Sequence, residues 1–161
     1  MHEIVEYLIN ANKTISTMES CTGGFIVNEI TNIEGASNVI KFSAVTYSNE
    51  FKEKMGVDKE IINKYSVYSM ETSKEMSKKI SIFTNSNYGI GITGKLNRID
   101  EKNNYGNNNE VFISIYDKDN DKYYTKNILV NNKTRIENKE LINKEFIKLF
   151  KLNFFSINSK K

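Results

Sequence analysis

The run from Thr14 to Ile30 constrains this chain most. Thr14-Ile15-Ser16-Thr17, rich in β-branched residues, leads into Met18-Glu19-Ser20-Cys21-Thr22-Gly23-Gly24. Phe25-Ile26-Val27-Asn28-Glu29-Ile30 leads out of it with helical patterning. The run reads as a strand, a tight polar turn and a helix, the unit from which α/β folds are built. It sets Ser20, Cys21 and Thr22 at a helix N-terminus, where backbone N–H groups lack intrahelical partners and attract anions. Gly23-Gly24 are read inside the first helical turn. There each costs roughly 1 kcal/mol against Ala, which points to close approach of a ligand or another backbone.

The rest of the chain alternates in the same style. Ile4, Val5, Leu8 and Ile9 give residues 2–12 an amphipathic helix, and Thr14–Met18 follows as the first strand. The second helix runs to about Asn32, before a turn at Gly35-Ala36-Ser37. Asn38–Tyr47 reads as a buried strand on Val39, Ile40, Phe42, Ala44 and Val45. Ser48 offers an N-cap for Glu50–Met55, and Asp58 offers one for 59–64. Ser69 starts a helix over 70–84 with Met70, Met76, Ile80 and Phe83 as its core stripe. Tyr88–Gly94 is a strand, Lys95–Asn109 an Asn-rich loop, and Glu110–Tyr116 a further strand. Asp117–Asp121 is a hairpin turn leading to Lys122–Val130. Asn131–Leu152 closes the domain as a helix with Ile136, Leu141, Ile142, Phe146, Ile147 and Phe150. The expected fold is a three-layer α/β/α domain with a mixed sheet over residues 1–152, followed by a tail over 153–161.

Composition limits the chemistry. The 161 residues include one Cys and one His, with no Pro and no Trp. A single Cys excludes an internal disulfide and a cysteine-rich metal site. The one His, His2, is terminal, so a Ser-His-Asp triad and a His metal site are both set aside. The acids show no ligand spacing, so no metal and no cofactor are expected. Net charge is +3, but lysines and acids interleave without a basic stripe, so nucleic acid is not the expected partner. Met1–Glu6 carries acids where a signal peptide carries bases, and nothing approaches a membrane span. A cytoplasmic protein that does not engage membranes is expected, with self-association into a homo-oligomer left open.

Ser20 has two readings, an ordinary helix cap or a nucleophile whose oxyanion would meet the Cys21, Thr22 or Gly23 N–H groups. A nucleophilic serine needs a base. Without a usable His the candidates are Lys and Tyr, and Tyr47-x-x-x-x-Lys52 lies where both could reach the Ser20 end of the sheet, although spacing alone favours a core tyrosine and a solvated lysine. Lysine in water is only about 0.04% neutral at pH 7. Burial must bring its pKa down toward neutrality, and a tyrosine hydroxyl between the two could relay the proton. Cys21 competes as nucleophile but reads better as a small packing residue.

The runs Glu19-Ser20-Cys21-Thr22-Gly23-Gly24, Gly35-Ala36-Ser37, Val45-Thr46-Tyr47-Ser48-Asn49 with Lys52, Val67-Tyr68-Ser69 and Ile92-Thr93-Gly94 together resemble the CinA C-terminal-domain family in order and spacing. The resemblance covers roughly residues 3–150 and implies a nicotinamide-nucleotide amidohydrolase in its stand-alone form. Such an enzyme converts nicotinamide mononucleotide to nicotinate mononucleotide and ammonia without a metal. It implies Ser20 as nucleophile, with Tyr47 and Lys52 as activating partners. The expected substrate contacts are Glu19, Cys21, Thr22, Gly23, Gly24, Thr93, Gly94, Lys133 and Arg135, with the phosphate near the N-terminus of the second helix. Two segments depart from the family pattern. Lys95-Leu96-Asn97-Arg98 follows Thr93-Gly94 where the family has an apolar residue and then Ala-Gly-Pro, so Lys95 and Arg98 could meet a phosphate. Asn131-Asn132-Lys133 replaces Gly-Asp-Arg, with Arg135 two residues on. The alternatives to an enzyme are a non-catalytic nucleotide- or protein-binding relative and, on charge alone, a nucleic-acid-binding accessory protein.

Overall fold

Five strands form one mixed sheet in the order β2-β1-β3-β4-β5 in the computed structural model, which describes residues 1–155. The strands are β1 Ile15–Glu19, β2 Ala44–Val45, β3 Tyr88–Gly94, β4 Glu110–Asp117 and β5 Lys122–Leu129. β1 lies parallel to both β2 and β3, and β3, β4 and β5 run antiparallel. The helices are α1 His2–Asn10, α2 Phe25–Thr31, α3 Asn49–Lys54, α4 Lys59–Tyr65, α5 Met70–Thr84 and α6 Arg135–Phe154.

Strand alternation sorts the two faces. Tyr88, Ile90 and Ile92 of β3 point into a large core with Ile15, Val111, Ile113 and Ile115, closed by α1, α2 and α6. Phe146 and Phe150 of α6 lie fully buried there. The opposite face of β3 carries Gly89 and Gly91, and α5 lies directly on them. A Cβ at Gly89 would stand 1.9 Å from the Ser77 carbonyl oxygen, and one at Gly91 would stand 2.1 Å from that of Ser73. Only glycine permits this approach. A smaller cluster of Met18, Val57, Ile62, Val67, Met76 and Ile80 completes that side. The result is the expected three-layer α/β domain. Among the described residues no helix is long and apolar enough to cross a membrane.

Several boundaries move. Asn38–Tyr47 is not one buried strand: Ala36–Asn38 forms a 3-10 turn and only Ala44–Val45 pairs with β1. As a sheet edge the segment alternates, with Thr46 buried between exposed Val45 and Tyr47. Gly23 and Gly24 precede α2 rather than occupy its first turn, with φ of 61° and 88°. That left-handed backbone is the reason for two glycines. α6 starts at Arg135, not Asn131, because Thr134 and Glu137 cap it reciprocally. Phe83 and Ile136, expected in the core, are exposed. The predicted tail 153–161 overlaps the end of α6 through Phe154; its residues 156–161 lie outside the described residues.

Candidate active site

The chain leaves β1 to form β2 on one side and later returns to form β3 on the other, so a crevice opens at the carboxyl ends of these parallel strands, where α/β sheets place ligands. A cleft of about 1050 Å³ lies there. Ser20 and Cys21 from the end of β1, Tyr47 beyond β2, Lys52 on α3, Gly94 and Lys95 beyond β3, and Arg135 at the start of α6 all line it.

Ser20 and Lys52 meet directly. The Lys52 Nζ donates to Ser20 Oγ at 3.0 Å and to the Thr46 carbonyl at 2.7 Å. Ser48 caps α3, its hydroxyl accepting from the Phe51 N–H, and so sets the phase that turns Lys52 inward. Lys52 is the one buried residue of that helix, 1% exposed. Burial lowers its pKa to about 8, against a slight opposing pull from Cys21. About a tenth of the lysine is then neutral at pH 7, against a few hundredths of a per cent in water. The Thr22 backbone N–H has no acceptor among the described residues and the Cys21 N–H meets only its own thiol; both stand next to the nucleophile. Cys21 itself is a poor competitor. Burial, reinforced by the Glu19 charge, pushes its thiol up to about 12.

Tyr47 does not stand between Ser20 and Lys52. It is 64% exposed at the cleft rim, where its hydroxyl accepts a 3.0 Å hydrogen bond from Arg135 Nη2. Alternation along the edge segment explains this, since the buried Thr46 that precedes it takes the inward position. Arg135 occupies the first turn of α6, where the helix dipole disfavours a cation. Lys133 is exposed and does not line the cleft.

The turn residues are placed differently from the expected anion seat. Glu19 is fully buried, and its carboxylate accepts from the Gly24, Ile26 and Val27 N–H groups at the start of α2. It also accepts from the Thr17 and Thr22 hydroxyls, at 3.1 and 2.6 Å. The N–H groups expected to form the anion seat at this helix start are thus taken by the Glu19 carboxylate. Glu19, Thr22 and Gly24 shape the turn that presents Ser20. The Gly23 N–H donates to the Ser20 carbonyl at 2.9 Å, closing the turn. A Cβ at Gly23 would lie 3.5 Å from the Lys139 Nζ. Thr93 is buried and donates to the Val67 carbonyl at 2.9 Å. Gly94 passes so close to β4 that a Cβ would lie 2.4 Å from the Glu110 carbonyl oxygen.

The opposite wall comes from the loop after β3. The Tyr68 hydroxyl donates to Asp100, and Asp100 also accepts from the Asn103 amide and the Lys102 N–H. Chiefly through Tyr68, these bonds hold the Asp100 carboxyl below its usual range. Tyr68 belongs to the Val67-Tyr68-Ser69 run, but its partner Asp100 lies 32 positions on in the Asn-rich loop, so no motif joins the two. Five basic residues of the cleft, Lys52, Lys95, Arg98, Lys102 and Arg135, face two acids, Asp100 and Glu101.

Comparison with known proteins gives a consistent picture. Two curated relatives match over 96 residues, 58% of this chain. A competence-damage inducible protein of Thermoanaerobacter sp. strain X514 is 42% identical, with 23% of its length covered. A CinA-like protein of Fervidobacterium nodosum is 44% identical, with 24% covered. The match thus spans about a quarter of those relatives. Among solved structures, a competence damage-inducible protein A of Klebsiella pneumoniae superposes with a TM-score of 0.83 at 20% identity, over 94% of each chain. The competence/damage inducible protein CihA of Agrobacterium tumefaciens gives 0.79 at 24%, over 91% of each. These likenesses share the fold. The family model for the CinA C-terminal domain matches residues 1–151, and with nearly the whole described chain inside that match, the protein belongs to the CinA C-terminal-domain family.

Proposed function

We propose that the chain is a serine amidohydrolase that deamidates nicotinamide mononucleotide. The observation that carries this reading is the 3.0 Å contact between Ser20 Oγ and a buried Lys52 amine whose pKa has fallen to about 8. Neutral Lys52 takes the Ser20 proton as Oγ attacks the carboxamide carbon. The C–O bond forms, and the carbonyl oxygen takes up the negative charge beside the Cys21 and Thr22 N–H groups. The tetrahedral intermediate collapses, the C–N bond breaks, and Lys52 returns the proton to the departing nitrogen, releasing ammonia. Water then attacks the acyl-serine with Lys52 again as base. The products are nicotinate mononucleotide and free Ser20. Glu19 acts only through the turn, holding Ser20 in place. Tyr47 and Arg135 form the polar rim through which substrate enters.

The test is ammonia release from nicotinamide mononucleotide. Wild type is expected to turn over, and Ser20→Ala is expected to lose at least about a thousandfold in kcat while keeping its fold. Equal rates in the two proteins would refute the mechanism. The second reading, nucleotide binding without turnover, is favoured by the placement of Tyr47 away from the Ser20–Lys52 pair. It expects binding of the nucleotide with no ammonia from wild type.

A further inference from the structure

Lys52 is not the only buried ammonium in the cleft. Lys95, the first residue beyond β3, is 4% exposed and also lines it. A buried cation ordinarily has a carboxylate partner, because its desolvation is otherwise uncompensated. Lys52 has one explanation for lacking such a partner, since a base must shed its proton. Lys95 has none in that chemistry. Its Nζ reaches only the neutral Asn108 side-chain oxygen, at 3.5 Å, and the face of the Tyr68 ring, 5.1 Å from its centroid. Among the described residues it forms no ion pair. The acid in its vicinity, Asp100, is engaged by Tyr68, Asn103 and Lys102, and Lys95 is the weakest of the influences on it. The site is built rather than incidental. The Lys95 N–H is pinned to the Glu110 carbonyl at 3.0 Å, and the Arg98 N–H to that of Asn108 at 2.9 Å, so the loop base is tied to the chain leading into β4. Five basic side chains line the cleft against two carboxylates.

We propose that Lys95 is the anchor for the phosphate monoester of the substrate, with Arg98 beside it on the same wall. The N-terminus of α2 is unavailable for this, because Glu19 fills it. The assignment rests on the amidohydrolase reading for the identity of the substrate, but not for the site itself. A phosphate supplies the counter-charge that Lys95 lacks. An anion held on the β3 wall would orient a nucleotide with its base toward Ser20 on the β1 wall. Lys95 is thereby a specificity residue, and a neutral riboside should bind far less well than its phosphate ester.

The decisive measurement is calorimetric titration of Ser20→Ala protein with inorganic phosphate, with and without Lys95→Met. Met keeps the length and removes the charge. The expected result is at least about tenfold weaker phosphate binding in the Met variant, as for loss of a charge-assisted hydrogen bond, with substantial recovery in Lys95→Arg. Thermal melting should not be lowered by Lys95→Met, since Met keeps the buried apolar stem. In the same protein the preference for nicotinamide mononucleotide over nicotinamide riboside should shrink by a similar factor. Equal phosphate affinity with and without Lys95, or none in either protein, overturns the assignment. So does loss of binding accompanied by a lower melting temperature, which would mark a structural lysine. If wild type releases no ammonia yet phosphate binding depends on Lys95, the anchor stands and the amidohydrolase reading falls.

Discussion

Lys52 sets what can be expected at the scale of one residue. Its folded-state pKa of about 8 lies below the ordinary 10.5. Between those values the unfolded chain holds a proton that the folded chain has released, so stability rises with pH across that window. Below about pH 8 both states are protonated, and the buried charge costs about 3 kcal/mol. Lys52→Met should therefore be more stable than wild type at pH 7. The gain is up to about 3 kcal/mol, less the cost of stranding the Thr46 carbonyl. The gap should close by pH 10.5, and urea unfolding at pH 7 and pH 10 reads it directly. A gap of the same size at both pH values would show that the lysine is not strained. On the proposed mechanism the same proton governs turnover: kcat/KM should climb with pH, reach half its maximum near pH 8 and level about one unit above. From the chain alone, the lack of a usable His pointed to Lys or Tyr as the base of Ser20, but with nine tyrosines and many lysines it was the resemblance that singled out Lys52. The role of Glu19 was not recognisable. A glutamate that caps a helix from the preceding strand reaches N–H groups five to eight residues on, beyond any capping spacing read from sequence.

At the scale of elements, the contact of α5 with β3 is the most demanding in the fold. Gly89 and Gly91 alternate on one face of β3 and face the α5 residues Ser73, Ser77 and Ser81. Ser73 donates to the Gly91 carbonyl at 2.8 Å, so backbone and helix are stitched as well as packed. Gly91→Ala should destabilise the domain by about 3 kcal/mol or more, since its Cβ meets backbone that cannot retreat without moving the whole helix. Chemical denaturation measures this, and a loss under 1 kcal/mol would mean that α5 sits less rigidly than described. The strand Tyr88–Gly94 was legible from its apolar run. The reason for its glycines was not, because close approach is a property of two elements. The start of α6 shows a different failure. Thr134 and Glu137 spell a capping box, yet the preceding asparagines were taken into the helix. That four-residue shift decides which cation stands at the cleft, Arg135 rather than Lys133. β2 was overcalled because five apolar residues in ten suggested burial on both faces. An edge position leaves Val45 half-exposed.

At the scale of the whole molecule, the start of α1 and the end of α6 lie together. Glu3 of α1 pairs with Lys151 near the end of α6, and Met1 packs against the main core. This adjacency was invisible in a linear reading, although the helical layer to which both belong was foreseen from the alternation of elements. A circular permutant joining residue 155 to residue 1 through a short flexible linker, and opened within the exposed segment 101–107, should fold with the far-ultraviolet spectrum of the parent. Its melting temperature should fall by no more than several degrees. Loss of cooperative unfolding would show that α1 and α6 do not hold each other as described.

α6 enters at the cleft with Arg135 and ends beside α1, so residues 135 and 151 stand about 24 Å apart along its axis. Both ends of the described chain thus lie away from the Ser20 cleft. Anything joined at residue 1 or residue 155, whether a neighbouring domain, a purification handle or a surface tether, hangs from the side away from the cleft. A fused protein could be exchanged or lengthened there without narrowing the approach to Ser20.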